Sequence, residues 1–216
     1  KLNVEEYGGP IYATWLDRVL KMAGKVVLKS AHVMRPQVKR VHLQDCPVTI
    51  PNLAIHMNRE INKGYAYNAQ VDMMALVTEL TEGFEAEGYL LKEISKTLGC
   101  QIEDILDFEL RLYMTEEVIT LGAEKQLVSG PRLDNLVMVH SSIQSLIACE
   151  PTEAIAVVAA MDNEEIGSRT KQGADSATVA VILEKLADAL HLDRTDWFRT
   201  FKHSFILYPL GFEIKS

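Results

Sequence analysis

The chain has 216 residues, 48% of them hydrophobic, and carries a formal net charge of -8 with a pI of about 5.3. A chain of this length buries a core without disulfide or metal staples, and its acidic balance repels phosphate backbones and anionic bilayers, which argues against nucleic-acid and membrane partners. Cys46, Cys100 and Cys149 are far apart and form no CxxC pair, which fits a reducing, cytoplasmic setting; no apolar run approaches the roughly 20 residues of a membrane span, and the first residues carry no signal-peptide core.

In chain order, residues 25–29, 38–43, 52–57 and 108–113 are short, partly alternating apolar segments mostly set off by Pro, Gly or Asn, the pattern of strands. Residues 87–98 interrupt them with Leu90, Leu91, Ile94 and Leu98 at helical spacing, and Gly99 supplies a stop. The pattern changes near residue 115. Beyond it, Leu136, Val139, Ile143, Leu146 and Ile147 share one helical face, with Asp134 where an N-cap would stand. Residues 154–161 then form an unbroken apolar run suited to a strand covered on both faces. Val179, Ile182, Leu183, Leu186 and Leu190 mark a second helix, with Asp175 or Ser176 available as its cap. Helix, buried strand, loop, helix is the rhythm of an α/β layer. The chain thus divides into a mostly β part, 1–115, and an α/β part, 116–216.

The acidic group Asp162-Asn163-Glu164-Glu165 directly follows the apolar run, at the strand end where open α/β sheets bind ligands. In a regular strand two adjacent glutamates point to opposite faces, whereas the loop before Gly167 can turn both toward one site, one to bind a metal and the other to handle a proton. Taken alone these residues also have ordinary readings. Residues 162–165 fit the solvated first turn of a helix, Asp134 fits a cap, and His56 fits a hydrogen-bonded sheet histidine.

Several separated segments together carry a resemblance: Tyr7-Gly8-Gly9 with Thr14-Trp15-Leu16-Asp17-Arg18, Ile50-Pro51-Asn52-Leu53-Ala54-Ile55-His56 with Asn58-Arg59, Asp104-Ile105-Leu106-Asp107-Phe108, Pro131-Arg132-Leu133-Asp134-Asn135, and Asp162-Asn163-Glu164-Glu165-Ile166-Gly167-Ser168. In this order and over most of the chain, they resemble the aspartyl aminopeptidase and vacuolar aminopeptidase I family. Leu16 and Val19 stand where that pattern has Phe and Asp, changes that fall on the scaffold.

The resemblance implies a cocatalytic zinc aminopeptidase that removes single residues from peptide N-termini. It implies an α/β class with a partial zinc-exopeptidase-like catalytic domain over 116–216 and a β-rich dimerisation domain over 1–115. Asp134 then corresponds to the carboxylate bridging two metals, Glu165 to a ligand of one metal, and Glu164 to the general base. His56 corresponds to a substrate contact reaching a neighbouring subunit's site, and Lys215 to a lysine near the substrate. Two zinc ions are expected per site, with cobalt or manganese as alternatives that carboxylate and imidazole ligands also accept. The peptide between Asp134 and Asn135 is expected to be cis. The expected partners are peptide substrates and copies of the chain itself, assembled from dimers into a tetrahedral dodecamer.

The family pattern also contains a metal-binding histidine before the position of Lys1, a second beyond that of Ser216, and an aspartate ligand between segments that here join at Leu207-Tyr208. The residues present are therefore expected not to close a two-metal site by themselves. Two other classes stay open at this point: a non-catalytic assembly or binding subunit of the same fold, and a related zinc deacylase or carboxypeptidase.

Overall fold

The computed structural model describes residues 1–79, 81–150 and 153–207, arranged as two compact units, Lys1–Glu117 and Val118–Ser216. The fold is mixed α/β.

The first unit is built on an antiparallel sheet of β1 (Leu20–Leu28), β2 (Gln37–Val48) and β3 (Ile105–Met114) in the order β2-β1-β3. Alternation fixes its faces. Leu20, Met22, Val26 and Leu28 of β1 are buried, as are Val41, Leu43, Cys46 and Val48 of β2, and Phe108, Leu110, Leu112 and Met114 of β3 pack against them. Between Leu20 and Met22 the partner on β2 moves from Val48 to Leu43, so a step of two positions along β1 matches a step of five along β2. Pro47, which lacks a ladder donor, lies in that irregular stretch, and β2 thereby continues to Val48. Gly24 has no alternative at its position, since a Cβ there would stand 1.8 Å from the Glu109 carbonyl oxygen of β3.

A four-residue helix, α1 (Ala69–Asp72), and then α2 (Tyr89–Leu98) complete the unit. The helix α2 begins after Gly88 and ends at Gly99, both in the left-handed region at φ 67° and 63°, which glycine adopts without a Cβ penalty. Its Ile94 is fully buried in the sheet's core cluster, with Tyr89, Leu90 and Leu98 packed against that cluster.

Residues 52–57 correct the sequence expectation: they form a loop and turn in place of a strand. Ile50 makes one parallel bridge with Leu16, after which Pro51 offers no N–H to extend it. The next two donors go to side chains, Asn52 N–H to Asp17 Oδ1 at 2.9 Å and Leu53 N–H to Asn52 Oδ1 at 2.9 Å. The Met57 N–H then closes a turn on the Ala54 carbonyl at 2.8 Å.

The second unit begins with a short hairpin of β4 (Ile119–Leu121) and β5 (Leu127–Ser129). It continues through α3 (Leu133–Ala148), α4 (Thr178–Ala189) and α5 (Arg194–His203). The start of α4 is held by the Ser176 hydroxyl, which accepts the Thr178 N–H at 3.2 Å. For α5 the cap is Asp193, which accepts the Asp196 N–H at 2.8 Å.

Residues 154–161 are a second correction: the described residues of this run join no ladder, and Ile155 and Val157 are 56% and 57% exposed. A strand covered on both faces depends on neighbours distant in sequence, and the described strands of this unit pair only with each other. Among the described residues, Ala187 is the single buried apolar side chain of the unit, while the contiguous core lies wholly in the first. No helix of the described residues is long and apolar enough to cross a membrane.

Candidate active site

Asp134 stands at the second position of α3 with non-helical torsions (φ -80°, ψ 117°), and the peptide joining it to Asn135 is cis. It does not cap the helix. Arg132, in the left-handed region, holds the cap position without a side-chain bond. The Asp134 side chain is thereby available for a role other than capping, and it is exposed.

Glu164 and Glu165 open a 3-10 turn, Glu164–Ile166, bracketed by two residues in the left-handed region, Asn163 at φ 61° and Gly167 at φ 90°. The backbone pins this turn at both ends. The Gly167 N–H donates to the Glu164 carbonyl at 2.8 Å and the Ser168 N–H to the Asn163 carbonyl at 2.9 Å, while the Asp162 N–H donates to the Gln172 carbonyl at 3.0 Å. Side chains add to the clamp: Asp162 Oδ1 accepts the Asn163 N–H at 2.7 Å, and the Thr170 hydroxyl donates to Asn163 Oδ1 at 2.6 Å. Behind them the chain folds back closely enough that a Cβ on Gly173 would lie 2.0 Å from the Ser168 carbonyl oxygen.

Three carboxylates therefore crowd into four residues at 162, 164 and 165, both glutamates exposed. Such a loop repels itself and gains from a cation nearby. Carboxylate oxygens suit zinc, and also cobalt or manganese. Even so, no three His, Cys, Asp or Glu side chains among the described residues form a group able to hold a metal.

His56 belongs to the first unit, exposed in the turn after Ile55. Lys215 and the Leu207-Tyr208 join lie at or beyond the edge of the described residues. An open cavity of about 590 Å³ sits at the start of α4 between Lys171, Thr178 and Lys185, and its lining includes neither Asp134 nor the two glutamates. The sequence reading did not single out the Asn163–Thr170 bond, which joins residues seven apart in a loop where no periodic pattern signals a contact.

Comparison with known proteins identifies the family. The model of the family described as Aminopeptidase I zinc metalloprotease (M18) matches residues 1–208. A Clostridium novyi (strain NT) protein named "Probable M18 family aminopeptidase 2" is 45% identical over 207 residues, which is 96% of this chain and 48% of that protein. The chain thus spans about half the length of the curated relatives it matches. Among solved structures, a chain in the cryo-EM structure of the Ape4 and Nbr1 complex aligns with a TM-score of 0.72 at 32% identity, covering 87% of this chain and 40% of that one. The S. cerevisiae mApe1 dodecamer aligns with a TM-score of 0.65 at 25% identity, covering 85% and 42%. This chain belongs to the M18 family of aminopeptidase I zinc metalloproteases.

Proposed function

We propose that the complete protein is a zinc-dependent aminopeptidase that releases single residues from peptide N-termini. The observation that carries this reading is the match of the M18 family model to residues 1–208, which includes the turn that presents Glu164 and Glu165 side by side.

Within that reading Asp134 and Glu165 would hold zinc, and the remaining ligands would come from outside the described residues. Zinc, when bound, acidifies water toward a pKa of about 7 and polarises the scissile carbonyl. Glu164 accepts a proton from the attacking water and returns it to the leaving amine, a task for which a carboxylate one residue from a ligand is well placed. His56 and Lys215 contact substrate, His56 from a neighbouring subunit. The free α-amine of the substrate is required because it is the group the site holds.

A homo-oligomer fits the same reading, since S. cerevisiae mApe1, a solved relative that aligns over 85% of this chain, is a dodecamer. In such an assembly the β-rich first unit makes the dimer contacts, and a tetrahedral arrangement of dimers is the expected form. A cytoplasmic location accords with the three free cysteines.

The test is a panel of X-anilide and X-peptide substrates, X acidic, neutral or basic, given to the complete protein with free and with blocked N-termini. Cleavage of free but not blocked peptides supports the aminopeptidase, and the preferred X gives its specificity. Preference for blocked substrates would reassign the protein to deacylase chemistry, and no hydrolysis of any with zinc bound would leave a non-catalytic subunit.

A further inference from the structure

The side chains of Glu164 and Glu165 are exposed, and the backbone turn that carries them sets the direction in which they leave the chain. That turn is entered through Asn163, whose φ of 61° is a conformation that costs most residues with a Cβ on the order of 1 kcal/mol. Asn tolerates it when its short side chain finds a local partner. The partner here is the half-buried Thr170, whose hydroxyl donates to Asn163 Oδ1 at 2.6 Å, while the Asn163 carbonyl receives the Ser168 N–H from the far side of the turn. The Asp162 carboxylate takes the Asn163 N–H. Residue 163 is thus gripped through its N–H, its carbonyl and its side chain, the last by a residue beyond the turn.

We propose that Thr170 is a positioning residue for hydrolysis: by holding the Asn163 side chain it fixes the turn that aims Glu164 and Glu165. The proposal rests on the reading of Glu164 as base and Glu165 as ligand. It predicts an effect carried by geometry, because the Thr170 hydroxyl donates to Asn163 and the Thr170 carbonyl accepts the Gly173 N–H, and neither partner is a glutamate. Groups that orient metal ligands from behind typically change metal affinity or activity by about 10–100-fold when removed.

The experiment uses the complete protein with zinc and compares Thr170→Val, which keeps the shape and removes the hydroxyl, with Thr170→Ser, which keeps the hydroxyl. Asn163→Gly is the second variant, since glycine takes the backbone conformation freely and removes the side chain that Thr170 holds. Glu164→Gln is run alongside. Expected for Thr170→Val and Asn163→Gly are a fall in kcat of about 10-fold or more with KM little changed, zinc lost at lower chelator concentration, and faster hydrogen exchange at the Gly167 and Ser168 amides. Thr170→Ser should restore all three. Wild-type kcat and exchange in Thr170→Val would overturn the proposal, as would a loss that Ser does not rescue or that Asn163→Gly does not share. If Glu164→Gln turns over normally, the reading of the base fails, while the exchange rates still decide whether Thr170 holds the turn.

Discussion

Asp17 and Asn52 are joined across 35 residues of sequence: the Asp17 carboxylate accepts the Asn52 N–H at 2.9 Å, and the Asp17 N–H donates to the Ile50 carbonyl at 2.9 Å. With the Leu16–Ile50 bridge beside them, these bonds bring the segments around Asp17-Arg18 and Ile50-His56 into one structure. Asp17 adopts a left-handed φ of 58°, so it serves the loop through both its backbone shape and its side chain. We expect Asp17→Ala to destabilise the first unit by about 1–2 kcal/mol, from the lost hydrogen bond and the strained alanine. It should also speed hydrogen exchange at the Asn52 amide. Asp17→Asn, which keeps an acceptor, should preserve that protection; equal exchange in both variants would show that the bond does not hold the loop.

The burial pattern predicts a sharp contrast between two isoleucines. Ile94 is 0% exposed within the core of the first unit, whereas Ile147 on α3 is 71% exposed. Ile94→Ala should cost about 2–5 kcal/mol through the cavity it leaves. Ile147→Ala should stay within about 0.5 kcal/mol in a polypeptide of residues 1–216. Urea denaturation of the two variants measures both. A large loss from Ile147→Ala would mean that α3 is covered by something the described residues do not show.

Acid should weaken the first unit through its ion pairs. The hydrogen bond from Arg18 holds the Glu116 carboxyl below its ordinary value of 4.5, and the hydrogen bond from Lys92 does the same for Glu85. A lowered folded-state value means the unfolded chain takes up the proton first as pH falls. The contribution is therefore fully present above 4.5 and is lost as pH drops through the lowered value. Both pairs are solvated, so the effect is small. Replacing Arg18 by Met should flatten the fall in stability below that pH, and an unchanged slope would exclude the Arg18–Glu116 pair as a contributor.

Metal binding should depend on more than these residues. Since no three donor side chains converge among the described residues, a polypeptide of residues 1–216 alone should bind zinc weakly and hydrolyse no peptide. Equilibrium dialysis with zinc and an anilide assay test this. Tight stoichiometric zinc with turnover would show that Asp134 and Glu165 find their missing partners within this length.

Much of the first unit was legible because its signals are local. The partly alternating segments 25–29, 38–43 and 108–113 marked parts of the longer strands β1, β2 and β3, and the spacing of Leu90, Ile94 and Leu98 before Gly99 marked α2. Residues 52–57 have the composition of a strand, but Pro51 and the Asp17 and Asn52 side chains remove the backbone donors a ladder needs. The run 154–161 has a buried strand's composition, and composition cannot supply the neighbours that would bury it. The helix α5 went unread although Asp193, three residues before Asp196, carries a cap signal, and the three-residue strands β4 and β5 are too short for a pattern to register. For the site, the adjacency of Glu164 and Glu165 and the special backbone at Asp134 were legible from the motifs. The grip of Thr170 on Asn163 was not, because a loop bond seven residues long follows no period.

The proposed hydrolysis requires the carboxylate of Glu164 to act on water while its neighbour holds metal. Glu164→Gln in the complete protein changes one oxygen to nitrogen and leaves the turn's backbone bonds intact. Zinc stoichiometry and peptide turnover measured on the same sample should show metal retained and hydrolysis down by at least about 100-fold. Wild-type turnover with zinc retained would contradict it.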